Sequence, residues 1–418
     1  MNYLEALNWV QSKLKFGIKP GLERMAWMLN ELGNPQHNLA AVHVVGTNGK
    51  GSTVSYLQHI FSSAGYDVGT FTSPYIVDFR ERISLNGQMI SKKDFVDLVQ
   101  KIKPVVDRLP LETTLEAATE FEVITLLMFE YFSHVHPVDI AFIEAGLGGQ
   151  YDSTNVFKAL AVICPSIGLD HQAVLGGTHR EIAEQKVGVL KDQVPFIFAA
   201  DRDDIKTVFY QKARRTGSPV YQAGKDFYSI WQGDSFSYRG LSVELSHIRL
   251  KLPGRHQALN ASLAITAAVL LQKRYPKITL TVIKTALMQT DWAGRTEFIF
   301  PNLLLDGAHN LESMTALIDV LKDFSDQKIH ILFAAINDKP VAEMLDLLDQ
   351  AGTVEVTQFD YPKALALSDY PTKYSRVADW RLWLQMIKKQ SKDDFYLVTG
   401  SLYFISQVRR QLLSTASI

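Results

Sequence analysis

Short apolar runs that end near glycines alternate along most of the chain with segments whose apolar residues recur at helical spacing. Ala41 to Val45 is a strand-like run ending in a glycine turn, and Val54, Leu57, Phe61 and Ala64 follow on one helical face. Asp139 to Ile143 and Ala159 to Ile167 read as further buried strands, whereas Glu120 to Phe132 and Asn260 to Leu271 read as helices. The alternation predicts α/β layers around a parallel sheet whose strand ends share one edge. Between residues 201 and 250 the pattern changes. Phe236 to Tyr238 and Leu241 to Leu245 are short runs suited to small antiparallel strands. A second alternation begins near Arg295, with strands expected at Leu303 to Leu305, Ile329 to Ala334, Thr353 to Thr357 and Phe395 to Val398. Gln289 to Gly294 lies between the two series and contains a breaking glycine, so the sequence predicts domains at 1–293 and 294–418.

The length of 418 residues agrees with two hydrophobic cores rather than one. Lys plus Arg at 43 nearly cancels Asp plus Glu at 44, which leaves no overall field to favour nucleic acid or an acidic membrane. Any anion site must therefore be local. Cys164 is the single cysteine, so an intramolecular disulfide is impossible, and its apolar surroundings predict a small core residue rather than a nucleophile. The start, Met1-Asn2-Tyr3-Leu4-Glu5, does not resemble a signal peptide, and the apolar stretch Leu263 to Leu271 is too short to span a bilayer. A cytoplasmic enzyme is expected.

The sharpest chemical signal is Gly46-Thr47-Asn48-Gly49-Lys50-Gly51-Ser52-Thr53, set between the first strand and its helix. Glycines let backbone N–H groups turn towards phosphate oxygens, the helix N-terminus adds positive potential, and Lys50 supplies an ammonium. Ser52 or Thr53 can approach magnesium. The string departs from the general phosphate-loop pattern: Val44 stands where its first glycine would be, and Gly51 directly follows the lysine. Ser73 follows another short strand and offers a hydroxyl oxygen to a hard cation. Glu144 ends the Asp139 to Ile143 strand before Ala145-Gly146-Leu147-Gly148-Gly149, a place suited to holding magnesium at a sheet edge. Asp170-His171 stands similarly after its own strand, and Asp306-Gly307-Ala308-His309-Asn310 forms a polar turn after another.

Taken in order, these phrases resemble the folylpolyglutamate synthase and dihydrofolate synthase family of the Mur ligase superfamily. Thr72-Ser73-Pro74, Asp152-Ser153-Thr154-Asn155, Glu184 to Gly188, His256 to Asn260, Gly294-Arg295 and Thr399-Gly400-Ser401 add to the resemblance, which spans nearly the whole chain. It implies an N-terminal P-loop nucleotide-binding domain of Mur ligase type and a smaller C-terminal Rossmann-like α/β domain. It also implies roles. Lys50 and the amides of Gly46 to Thr53 would hold ATP phosphates, with Asn260, Arg295 and Asp306 also contacting nucleotide. Ser52, Ser73 and Glu144 would contribute to one magnesium (Mg2+) site, and His171 to a second. Lys186 matches a position that in this family can carry a carbamate on its amine, turning a cation into an oxygen ligand. Asp306 and His309 would complete the catalytic set from the C-terminal domain. The pterin end of the acceptor would lie near Thr119, Phe121, Gly149 and Gln150, although the family often has arginine where Gln150 stands.

The implied reaction is ATP-dependent joining of L-glutamate to a folate-type carboxylic acid through an acyl phosphate, releasing ADP and phosphate. Dihydropteroate is a second candidate acceptor. The competing expectations are another Mur-type amide ligase and a nucleotide-responsive binding protein without ligase activity. No nucleic-acid or membrane partner is expected, and a monomer would suffice.

Overall fold

A computed structural model describes residues 1–17, 19–387, 391 and 393–415. It divides into two compact units. The first comprises Met1–Tyr75, Phe79–Arg249 and Leu259–Gln289, and the second Ile76–Asp78, Leu250–Ala258 and Thr290–Ile418.

The first unit is built on an eight-stranded sheet. Its order is Gln88–Met89, Ile83–Leu85, Val68–Phe71, Ile140–Glu144, Ala41–Val44, Ala161–Cys164, Phe196–Phe198 and Val220–Gln222. The last six are parallel, and the first two add an antiparallel edge. Every residue of the central Ala41–Val44 strand is buried, which is why it reads as a continuous run rather than an alternation. Val44 stands opposite Glu144 on one side and Ile163 on the other. That register brings the Gly46 loop, Glu144 and the Pro165-Ser166 turn to the same carboxyl edge. The helix Glu120–Glu130 is almost wholly buried and is started by a capping box between Thr119 and Glu122. It contributes Val123, Leu126 and Phe129 to a core that also holds Met25, Phe71, Phe95 and Phe196.

Several element boundaries differ from the sequence expectation: the helix expected at Asn260 to Leu271 begins at Arg255, and two other differences have a clear physical reason. The strand expected at Ala159 to Ile167 is limited to Ala161–Cys164, because Pro165 has no N–H for the ladder and Ser166 bonds to the glycine loop instead. The helix expected to end at Phe132 passes after Glu130 into a π-helical turn, Tyr131–Val135. The small antiparallel sheet is present as Phe227–Gln232, Ser235–Gly240 and Val243–Ile248, with Leu241 in the connecting turn at φ 52°.

The second unit has a six-stranded sheet ordered Glu297–Phe300, Leu303–Leu305, Asp394–Thr399, Lys328–Phe333, Thr353–Thr357 and Ser375–Val377. Only its first strand is antiparallel to its neighbour. The pleat sends Leu304, Ile331, Phe333 and Leu397 into one core and Leu303, Leu305, Leu332 and Val398 into the other, as expected for a sheet covered on both faces. Among the described residues, no helix is long and apolar enough to cross a membrane.

Candidate active site

The glycine loop is fixed from the neighbouring strand end. Thr47 N donates to Ser166 O at 2.9 Å, Asn48 N to Ser166 Oγ at 2.9 Å, and the Ser166 hydroxyl to Asn48 O at 3.0 Å. Thr47 Oγ1 accepts from Gly168 N at 2.9 Å. Gly49 adopts φ +85°, a left-handed conformation at the N-cap of the helix Lys50–Ser63. A Cβ there would overlap Asn260 Oδ1 and press against Pro165 Cβ at 3.0 Å, so both backbone angle and space require glycine. The result is a loop drawn close around a helix N-terminus, suited to an anion. Thr53 turns its hydroxyl back to Gly49 O at 2.8 Å, whereas Ser52 is buried one residue earlier.

Three charged side chains surround this loop. Lys50 Nζ donates to Thr47 O at 3.1 Å and lies 3.7 Å from Glu144 Oε1. Glu144 is buried, and its other oxygen accepts from Ser73 N at 3.3 Å. Lys186, on the helix His179–Val187, is also buried and donates to Gly46 O at 2.8 Å. Burial, followed by repulsion from Lys50, pushes its pKa down to about 7.

The segment that follows Glu144 is packed onto the main chain of Gln185 and Lys186. Gln150 N donates to Gln185 O at 2.8 Å, and a Cβ at Gly149 would come within 2.5 Å of Lys186 O. Asp152 binds Leu147 N at 2.7 Å and Thr154 N at 3.0 Å. Burial raises the Asp152 pKa, against the opposing pull of those hydrogen bonds.

In the second unit, Asp306 follows the strand Leu303–Leu305 and pins its own turn: Oδ2 accepts from Thr296 N at 2.7 Å and Oδ1 from Ala308 N at 2.8 Å. His309 Nδ1 donates to Gly307 O at 2.7 Å. Arg295 Nη1 reaches the same Gly307 oxygen at 3.4 Å. Asn310 then caps the helix Leu311–Leu321 through Ser313 N.

Comparison with known proteins gives this arrangement a family. The Mur ligase middle domain matches residues 44–268, and the Mur ligase glutamate ligase domain matches residues 294–402. The chain is 38% identical to the dihydrofolate synthase/folylpolyglutamate synthase of Bacillus subtilis, over 98% of this chain and 99% of that protein. The chain belongs to the folylpolyglutamate synthase and dihydrofolate synthase family of Mur ligases. It is 33% identical to the folylpolyglutamate synthase of Lacticaseibacillus casei over the full length of both. The solved apo form of L. casei FPGS superposes with a TM-score of 0.87 at 31% identity, covering 99% of this chain and 100% of that one.

Within this Mur ligase, the structure brings together Gly46 to Thr53, Ser73, Glu144, Lys186 and Asn260 in the first unit. His171 stands apart in character: its side chain is about half exposed, its φ is +53°, and its Nε2 lies 4.0 Å from Asp170 Oδ2. Among the expected acceptor residues, Thr119 is engaged as a helix cap with Glu122, which also binds Arg24. Phe121 abuts Gly146, where a Cβ would strike its ring, and Gln150 is exposed. Sequence reasoning missed Ser166 and His43. A serine directly after Pro165 at a strand end was the available signal for the first; a lone histidine inside an apolar strand was the signal for the second.

Proposed function

We propose that this chain joins L-glutamate to a folate with the consumption of ATP, acting as a folylpolyglutamate synthase and also accepting dihydropteroate. The observation that carries the reading is the meeting of Lys50, Glu144 and Lys186 around one glycine loop, in a chain alike over its full length to named synthases. Nucleotide and folate complexes of a similar FPGS, one of them an AMPPCP-folate complex at 31% identity, support both substrates. A free, buried Cys164 agrees with a reducing, cytoplasmic setting.

A carboxylate is a poor acyl donor because its charge repels an amine and oxide leaves badly. In the proposed reaction a folate carboxylate oxygen takes the γ-phosphoryl group of ATP, releasing ADP. The glutamate nitrogen then attacks the acyl carbon; the amide C–N bond forms, the C–O bond to phosphate breaks, and the amine loses its proton. Lys50 and the N–H groups at the helix start stabilise phosphate charge as it moves, whereas the N–H groups of Thr47 and Asn48, expected to do the same, are given to Ser166. The tight Ser166 and Thr47 bonds keep those donors in place before reaction.

The residues present suit magnesium. Among the described residues no three His, Cys, Asp or Glu side chains form a metal cage, so a cation here would rely on one carboxylate, hydroxyls and phosphate oxygens. Glu144, Ser52 and Ser73 would hold it, with His171 serving a second position. Bound there, it would neutralise charge on the transferring phosphoryl group. Lys186 suits a carbamate in one respect, since an amine with a pKa near 7 is available uncharged at neutral pH. Asn260, Arg295 and Asp306 would contact nucleotide, Asp306 and His309 would complete the catalytic set, and Thr119, Phe121, Gly149 and Gln150 would meet the acceptor.

The test is ADP release measured with each substrate omitted in turn. The proposal expects release to require ATP, magnesium, tetrahydrofolate or dihydropteroate, and glutamate together. Release stimulated by a cell-wall precursor but not by either pterin would assign the chain to another Mur-type reaction. Nucleotide binding without release would make it a binding protein.

A further inference from the structure

One polar side chain at the buried centre of the large sheet has no part in the chemistry above. His43 lies in the strand Ala41–Val44, between Ile140–Glu144 and Ala161–Cys164, and is 1% exposed. Its Nε2 is 2.8 Å from Thr154 Oγ1, and Thr154 is fully buried. The Thr154 hydroxyl donates its hydrogen to Asp152 Oδ1 at 2.5 Å. The threonine oxygen can therefore only accept from the imidazole, which must carry its hydrogen on Nε2. Asp152 passes the constraint on to Leu147 N and Thr154 N. The imidazole also packs on Phe157, with ring centroids 5.0 Å apart, so it is held in the sheet as a rigid donor.

The segment at the far end of this relay needs such a hold. It contains Gly146, Gly148 and Gly149, with Gly148 at φ +70°, and glycines leave a loop many alternatives once its anchors are gone. A buried relay in which every donor has an acceptor selects one of those alternatives, because breaking any link strands a polar group away from water.

We propose that His43 is a positioning residue for the acceptor, acting through Thr154 and Asp152 to fix the loop from Gly146 to Asn155. This rests on the reading that Gly149 and Gln150 meet the acceptor. The glycine loop that holds ATP has its own fastenings, to Ser166 and Gly168, so loss of the His43 donor falls on the acceptor first.

The experiment compares His43→Leu, which removes the donor, with His43→Gln, whose amide nitrogen can replace Nε2. Thr154→Val cuts the relay at its middle without changing the sheet. The expected result is a rise of about tenfold or more in KM for tetrahydrofolate in His43→Leu and Thr154→Val, with KM for ATP changed by less than about twofold. His43→Gln should return the acceptor KM to within about threefold of the native value, and the His43→Leu/Thr154→Val double variant should be no worse than either single. Hydrogen exchange followed by mass spectrometry should show faster exchange over residues 146–155 in His43→Leu and protection restored in His43→Gln. Equal shifts in both KM values, a glutamine variant no better than leucine, or unchanged exchange in the loop would overturn the proposal. So would failure of both His43→Leu and Thr154→Val to fold, since the relay would then be a folding element. Native protein inactive on tetrahydrofolate would instead refute the acceptor reading, and the exchange measurement would still decide whether His43 fixes the loop.

Discussion

The Lys186 amine donates to the main-chain oxygen of Gly46 at 2.8 Å, across 140 residues of sequence. That single contact ties the helix His179–Val187 to the first residue of the glycine loop, and it places a buried amine beside Lys50. A helix-surface lysine would have no such effect on phosphate binding. Here the amine either balances the loop as a cation or, once carbamylated, faces it as an oxygen donor.

The two forms differ in what replaces them. Lys186→Ala is expected to reduce ligase turnover by roughly 10²-fold or more, with partial rescue by a short carboxylic acid. The intact mass of the active native protein should exceed the unmodified mass by one carbon dioxide. An unmodified lysine in fully active enzyme would reject the carbamate while leaving the ligase reading in place.

Lys50→Ala should lower turnover by roughly 10²-fold or more, because the ammonium that stands 3.7 Å from Glu144 at the glycine loop would be gone. Circular dichroism should remain native, since Lys50 sits at a helix start and keeps partial exposure. Near-native turnover in the folded variant would remove Lys50 from the phosphate site.

Gly49→Ala should combine strain with a clash. A left-handed backbone angle costs a non-glycine residue roughly 1–2 kcal/mol. The added methyl also overlaps Asn260. Weaker ATP binding measured by calorimetry, with a lower urea midpoint, is the expected outcome; unchanged affinity would mean that the loop yields easily.

The strand, loop and helix around Gly46 to Thr53 were legible because burial on both faces leaves a continuous apolar run and the turn needs glycine. Four of the six strands after Arg295 were legible for the same reason; the edge strands Glu297–Phe300 and Ser375–Val377, which are not buried, were not. Partnerships across long separations were not. Nothing near His43 names Thr154 as its partner, and nothing near Lys186 says that its helix turns this lysine inward to Gly46. The inclusion of Ile76–Asp78 and Leu250–Ala258 in the second unit was equally hidden, because each is too short to show a period of its own.

His43 gives a pH dependence of stability. Burial, with Lys191 adding to it, pushes its folded pKa down to about 3 from the ordinary 6.5. The unfolded chain therefore binds the extra proton between those values, and the native state loses stability as pH falls from 6.5 towards 3. From this residue alone the loss between pH 6.5 and pH 5 is about 2 kcal/mol. Urea unfolding at both pH values should show His43→Gln losing less stability than native protein by about that amount. Identical losses would mean that His43 is not held neutral.

The proposed reaction makes a new amide between a folate carboxylate and glutamate. Mass spectrometry of the product from ATP, magnesium, tetrahydrofolate and isotopically labelled glutamate measures it directly. The expected product is a folate heavier by one labelled glutamyl residue, formed with one ADP per bond and absent when ATP is left out. Tetrahydrofolate and dihydropteroate both recovered unchanged from folded, ATP-binding enzyme would contradict it.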